Sequence, residues 1–391
     1  GHRVTFVLPS LGEGGGPSFL HLVPAFSVAA DDGRTSEAST ASPVALHPVP
    51  SPLSPYLNHQ GYRFRHRGIN RPQMGHYGSD LIAEVIRYGA AGGSLARGRA
   101  FDVIHAHDWM TIHAALEARR ISGKPFVLHV HSLEYDRSGE NVNEAIRRIE
   151  AEGLRQADRI IAVSHRTARM IVERYGIAAE KITVVHNAVS HQEAGQVYRA
   201  ERRGISRGEK MVLFLGRITF QKGPDYFVEA AAQVLRVLPD VRFVMAGTGD
   251  MVERMIERVA ELGIGNRFHF TGFLQGEEIE RIFSLSDLYV MPSVSEPFGI
   301  SPLEAMLYDV PVIISRQSGV AEILRHALRV DFWDVREIAS KIIAVLKYPV
   351  LASEMVREAR EELRKIRWDT AAQRIAEVYR ETASAAAPDR P

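Results

Sequence analysis

Cysteine does not occur among the 391 residues. That excludes a disulfide framework, a thiolate nucleophile, a zinc–thiolate centre and an iron–sulfur cluster. It fits a reducing cytoplasm, which is the expected location. No apolar run reaches the ~18 residues that a membrane-spanning helix needs, so no span is expected. A strong charge of either sign is missing too: 48 basic side chains face 47 acidic ones, for a net +1. Generic binding to nucleic acid or to an acidic membrane surface therefore lacks an electrostatic basis. The first apolar run, Val4–Leu8, is short and ended by Pro9. It reads as a buried strand and not as a leader segment.

What is present is ordinary globular composition, 45% apolar and 24% charged, in a chain long enough for two to three domains of roughly 150 residues. Short β-branched runs alternate with amphipathic stretches. Val103–His107, Phe126–His131, Ile160–Val163 and Ile182–His186 read as strands, with helical pattern at Ile112–Arg120 and Glu144–Gln156. The pattern then restarts. Met211–Leu215, Arg242–Ala246, Arg267–Phe270, Leu288–Met291 and Val312–Ser315 read as strands, with helices near Asp225–Val237, Met251–Leu262, Glu277–Leu285 and Pro302–Tyr308. Such alternation indicates parallel α/β units. The fold class expected is α/β: two Rossmann-like, doubly wound parallel-sheet domains facing across a cleft.

The expected domains are 1–195, 196–368 and a final helical segment with its tail, 369–391. The two series meet in the polar stretch Asn187–Lys210. Ala29–Pro55, rich in Ala, Ser, Asp and Pro, reads as a loop or flexible insertion. Gly89–Arg99 is small and glycine-rich, which is unusual ahead of a strand.

Open α/β sheets bind ligands beyond the carboxyl ends of their strands, so chemistry is sought there. After Leu288–Met291 comes Ser295-Glu296-Pro297-Phe298-Gly299-Ile300-Ser301-Pro302-Leu303-Glu304. Ser301 is placed to cap a helix, with Pro302 first and Glu304 three residues past the cap, a capping box. Phe298, Gly299 and Ile300 would then offer backbone N–H groups and a helix dipole to a phosphate. Glu296 sits in the loop before them. Read alone, the pattern serves equally well as a self-closing cap with a solvated loop acid.

A second cluster follows Met211–Leu215. Arg217 and Lys222 lie on the loop, and Gly223-Pro224 opens a helix. A guanidinium fork and a compact ammonium beside a helix start suit a pyrophosphate. Three glycine turns are weaker signals: Gly12 to Gly16, with Gly15 and Gly16 at its end, Gly247 after Arg242–Ala246, and Gly272 after Arg267–Phe270. His105 and His107, and likewise His129 and His131, share strand faces by period two. With Asp108 they invite a metal reading. Yet alternate histidines on buried strand faces are commonly satisfied by backbone, and no H-E-x-x-H spacing occurs. No metal is expected. His131 and Asp108 fall at strand ends, where they could contact a polar substrate.

These residues together resemble retaining glycosyltransferases of the GT-B fold, family 4, over about Phe101 to Glu381. The most specific element is Glu296 and Glu304 within Glu-Pro-Phe-Gly, joined by Gly216-Arg217 and Lys222-Gly223 upstream. The resemblance implies that Arg217 and Lys222 bind the donor diphosphate, Glu296 contacts donor sugar hydroxyls, and Glu304 holds the ribose. It implies that Gly299 and Ile300 give N–H groups to phosphate, that Gly15, Gly16, Gly247 and Gly272 lie at the donor, and that His131 lines the sugar pocket. It also implies that the last helix crosses back onto the first domain. His107-Asp108-Trp109 and His131-Ser132-Leu133-Glu134-Tyr135-Asp136 are most similar to glycogen and starch synthase relatives. They place His107 and Asp108 in a sugar or acceptor pocket. UDP- or ADP-glucose as co-substrate, a glycan acceptor, no other cofactor and no nucleic-acid partner are what this resemblance implies. A nucleotide-sugar epimerase on the same fold, a phosphorylase and a non-catalytic binding relative are the rival readings.

Overall fold

The computed structural model describes residues 3–10, 44–51, 53, 80–190 and 209–385. They form two compact units: the described part of the first lies in 3–128 and 148–158, and the second comprises His129–Arg147 and Arg159–Ala385. Gly15 and Gly16 lie outside the described residues, as do 29–43, the stretch 191–208 between the two repeats of the pattern, and the tail 386–391.

The chain begins with β1 (Val4–Ser10), which pairs in parallel with β2 (Val44–Pro50). Both depart from expectation. Val4 and Phe6 are exposed, because β1 sits in a two-stranded sheet and not inside a layered one. Residues 44–50 were expected in a loop on composition, yet an extended backbone is what prolines favour, and the run pairs along its full length.

Next come α1 (Leu81–Ser94), β3 (Ile104–His107) and α2 (Trp109–Ser122). The glycine-rich tract 89–99, unusual ahead of a strand, supplies the last part of α1 as far as Ser94. The reason is packing. A Cβ built on Gly89 would stand 2.5 Å from the Cβ of His113, and one on Gly93 would stand 2.5 Å from the Cβ of Glu117. Glycine in a helix interior costs roughly 1 kcal/mol relative to alanine, and here it allows α1 and α2 to touch backbone to side-chain root.

There follow β4 (Phe126–Val130), α3 (Glu134–Ser138), α4 (Glu144–Gln156), β5 (Arg159–Ala162), α5 (His165–Tyr175) and β6 (Ile182–Val184). Strands β3, β4, β5 and β6 lie in that order in one sheet. β4 is buried at every position, His129 included, which explains why its other four residues are all apolar.

The second series holds β7 (Lys210–Leu215), α6 (Pro224–Leu235), β8 (Val241–Ala246), α7 (Val252–Glu261), β9 (Phe268–Gly272) and α8 (Glu277–Leu285). It continues with β10 (Leu288–Met291), α9 (Ser301–Leu307), β11 (Val312–Ser315), β12 (Leu328–Val330), α10 (Val335–Lys347), α11 (Pro349–Leu363) and α12 (Trp368–Ala385). α12 lies against β5, where Arg159 donates to Glu381 at 3.0 Å.

All six strands β7 to β12 form one parallel sheet of order β12-β11-β10-β7-β8-β9. Counted from β7 this is 3-2-1-4-5-6, the doubly wound dinucleotide-fold order. Its side chains alternate between two cores. Val212, Phe214, Phe243, Met245, Leu288 and Val290 pack with Phe227, Val228 and Ile338. Leu213, Val244, Tyr289, Met291 and Ile314 pack with Phe283, Leu303 and Leu363. The strand order reverses between β7 and β10, and that switch point is where such sheets open a crevice for ligands.

Candidate active site

Both motifs singled out in the sequence leave the sheet at the switch point. β7 runs into Gly216 and Arg217. A single helical turn, Phe220–Lys222, follows. Gly223 then turns the chain into α6 with φ 66°, and a Cβ there would lie 2.1 Å from the carbonyl oxygen of Pro292. Only glycine lets the Lys222 turn press against the exit of β10 this closely. The strand ends are tied as well, since the buried Tyr289 hydroxyl donates to the Leu215 carbonyl at 3.2 Å.

The result is a direct pair. Lys222 Nζ donates to Glu296 Oε2 at 2.5 Å, and Ser293 Oγ donates to the same oxygen at 3.2 Å. The Glu296 side chain is 7% exposed and that of Lys222 22% exposed. A carboxylate so buried needs a partner, and the ammonium supplies it while keeping one face toward solvent. The backbone of Glu296 is fixed on both sides: its N–H donates to Gln317 at 3.0 Å, and its carbonyl accepts from Gly319 at 2.9 Å.

Arg217 is organised by a residue that the sequence does not flag. Its Nη2 donates to Gln221 Oε1 at 2.8 Å, while the backbone carbonyl of Gln221 accepts from Val294 N at 2.9 Å. Buried Gln221 thus holds both the guanidinium and the loop that carries Glu296. A second set braces that loop from behind. Ser295 Oγ donates to Asp136 Oδ1 at 2.6 Å and accepts from Arg166 Nη2 at 2.9 Å. Leu133 N donates to the other Asp136 oxygen at 2.9 Å. Burial pushes the Asp136 carboxyl above its ordinary range against the opposing pull of Ser295, Leu133, Arg166 and Arg137. Ser164 Oγ donates to the Pro297 carbonyl at 2.6 Å. Asp136, Arg166 and Ser164 are all more than 120 positions from the loop they hold, so periodicity and spacing carried no sign of them.

Other expected residues fall as follows. Gly247 N donates to Gly272 O at 2.8 Å, so these two turns adjoin at the ends of β8 and β9. Phe298 is buried and Ile300 exposed. Gly299 has φ 102°, with Met291 and Glu296 side chains against it. His131 stacks on His129 with ring centroids 4.2 Å apart. His107 and Asp108 belong to the first unit, where the backbone of His107 bonds Thr111 Oγ1 and Asp108 precedes α2 with φ 57°.

The capping box does not form. α9 starts one residue early, with Ile300 in the helical region at its cap and no side-chain cap bond. A capping residue needs an extended backbone to aim its hydroxyl at the first turn, and Ile300 already occupies the position. Glu304 is left half-buried, and burial pushes its carboxyl above the ordinary carboxylate range. The folded chain then keeps that proton to higher pH than the unfolded chain. Stability falls as pH rises from the ordinary value through the raised one. Glu304→Gln is expected to raise Tm at pH 8 and leave it nearly unchanged at pH 4. Equal shifts in thermal melts at both pH values would contradict this.

The model of Glycosyltransferase Family 4 matches residues 1–193, and that of Glycosyl transferases group 1 matches 199–362. An uncharacterized glycosyltransferase of Methanocaldococcus jannaschii is 30% identical over 295 residues, covering 72% of this chain and 75% of the relative. Glycogen synthase of Mycobacterium tuberculosis is 28% identical over 320 residues, covering 78% and 76%. A D-inositol 3-phosphate glycosyltransferase of Acidothermus cellulolyticus is 30% identical over 302 residues, covering 72% and 67%. Among solved structures, Anabaena HepE with UDP and glucose matches with TM-score 0.64 at 22% identity, over 77% of this chain and 81% of that one. Sucrose-phosphate synthase of Thermosynechococcus elongatus matches with TM-score 0.70 at 21% identity, over 86% and 84%. With family models on both halves of the sequence and a dinucleotide-fold sheet in the second, the chain belongs to glycosyltransferase family 4 and has the GT-B fold.

Proposed function

We propose that the protein transfers a hexose, glucose foremost, from UDP- or ADP-sugar to an α-glucan with retention of anomeric configuration and without a metal. The observation that carries this reading is the Lys222–Glu296 pair at the sheet's switch point, with Arg217 held beside it through Gln221. The glycogen synthase relative supports the glucan, and the UDP and glucose bound to HepE support the donor.

Breaking the anomeric C–O bond leaves positive charge on the sugar and negative charge on the departing diphosphate. Fixed cations and N–H dipoles aimed at that diphosphate are then the largest expected catalytic contribution. Arg217 and Lys222 take this role, helped by the N–H groups of Gly299 and Ile300. Glu296 holds sugar hydroxyls, Glu304 the ribose, and His131 the sugar pocket, while the Gly247 and Gly272 turns lie at the nucleoside. Attack comes from the leaving-group face. The acceptor oxygen bonds to the anomeric carbon, the old C–O bond breaks, and the diphosphate takes the acceptor's proton. No carboxylate nucleophile is required, unlike a double displacement with its paired carboxylates.

The donor half of this reading is tested by thermal shift with UDP, ADP and GDP and with their glucose, mannose and N-acetylglucosamine derivatives. A ligand at 100 times its Kd stabilises by ~2.7 kcal/mol. One nucleotide series is expected to raise the midpoint well above the others. No shift with any of them would overturn the donor site.

A further inference from the structure

Outside the donor loops, three side chains with metal-binding atoms converge from separate elements. His165 is the first residue of α5, His186 follows β6 by two positions, and Glu322 ends the short turn Gly319–Glu322 after β11. One ligand atom of each lies within 4.8 Å of the other two. His186 Nε2 and Glu322 Oε2 are already 3.0 Å apart. Two ligands on a tetrahedral ion with bonds of ~2.0–2.1 Å stand ~3.3 Å apart, so this pair nearly spans a coordination edge as it is. The His165 and His186 rings meet edge to face with centroids 5.7 Å apart, and His165 is exposed, so a side-chain rotation completes the set.

The simpler account is a helix cap with an ion pair. Glu322 Oε2 accepts the His165 backbone N–H at 2.8 Å, and Oε1 accepts that of Arg166 at 2.7 Å. That account uses neither ring nitrogen of His165. It leaves a single lone pair on the carboxylate, on Oε1, since each oxygen has two and Oε2 meets both His165 N and His186 Nε2. Two imidazoles and one carboxylate, with room for water, form a donor set for a divalent first-row ion of zinc type.

We propose that His165, His186 and Glu322 bind such an ion, Zn²⁺ being the probe. The site is separate from the diphosphate cations and stands whether or not the donor reading does. The ion replaces the proton between His186 and Glu322 and leaves the backbone cap in place. Its effect reaches the active site through one segment: Gly319 N donates to the Glu296 carbonyl at 2.9 Å, and Val320 N donates to that of Phe298 at 2.7 Å. Bound metal braces the turn that holds both.

The test titrates Zn²⁺ into the full chain and into His165→Ala, with an indicator in competition. Because the chain has 16 histidines, the difference between the two proteins is what counts. His165→Ala keeps the backbone N–H that Glu322 uses, so the fold is spared. The wild type is expected to bind one more equivalent, or to bind it at least ~10–100-fold more tightly, the loss that even an outer-sphere change causes. Co²⁺ should give visible absorption bands in the wild type that fade in His165→Ala and in His186→Ala. Identical stoichiometry and affinity in wild type and His165→Ala, or Co²⁺ spectra unchanged by both variants, would overturn the proposal.

Discussion

Lys222→Ala is expected to lower kcat by about 10²–10³-fold, the loss seen when one preorganised donor to a transition-state anion is removed. The side chain is placed by the turn Phe220–Lys222 and by Gly223, and it faces a buried carboxylate. Its removal takes a positive charge from the developing diphosphate. It also strands Glu296, whose remaining side-chain hydrogen bond among the described residues comes from Ser293 at 3.2 Å. An uncompensated buried charge is itself destabilising, so a fall in Tm is expected with the fall in rate. Lys222→Arg separates the two effects, because it keeps the charge and changes only its shape. Steady-state kinetics on folded protein decide the matter, and an unchanged kcat in Lys222→Ala would end the catalytic role.

Gly223→Ala should be nearly as damaging through geometry alone. A methyl group there meets the Pro292 carbonyl oxygen at 2.1 Å, in a residue with φ 66°. Left-handed backbone costs a non-glycine residue of order 1–3 kcal/mol. The clash is with backbone and cannot be relieved by turning a side chain. The Lys222 turn must therefore move away from the exit of β10. Gly263→Ala is the control: its φ is 68°, but nothing lies within 4 Å of the added carbon. Gly223→Ala should lose several degrees more in Tm than Gly263→Ala and bind nucleotide diphosphate at least ~10-fold more weakly, a 1.4 kcal/mol difference. If the two variants behave alike, close approach does not fix the turn.

Elements with a continuous apolar run or a clear helical stripe were legible in the amino-acid sequence. β10, β11, α4 and α8 have the bounds that their patterns predict. Elements shaped by a neighbour were not. α1 hides behind glycines that only make sense against α2. β2 carries prolines, and β12 has three residues, too few to show a period. The site divides in the same way. Lys222 and Glu296 stand on loops next to strong strands, and the chemistry of each loop announced them. Asp136 and Ser295 are 159 positions apart, and neither has local context that marks it as a brace. The capping box failed for a related reason: residue types there permitted two starts for α9, and backbone conformation at Ile300 chose the other.

One reaction tests the proposed transfer most directly. Wild-type protein should be incubated with UDP- or ADP-glucose carrying labelled sugar, together with maltodextrin, and with D-inositol 3-phosphate in a parallel sample. The product linkage is then read by NMR. Release of nucleoside diphosphate, with label in a new α-linkage on the glucan, is the expected result. A β-linked product, transfer to the inositol phosphate alone, or no transfer from either donor would contradict it.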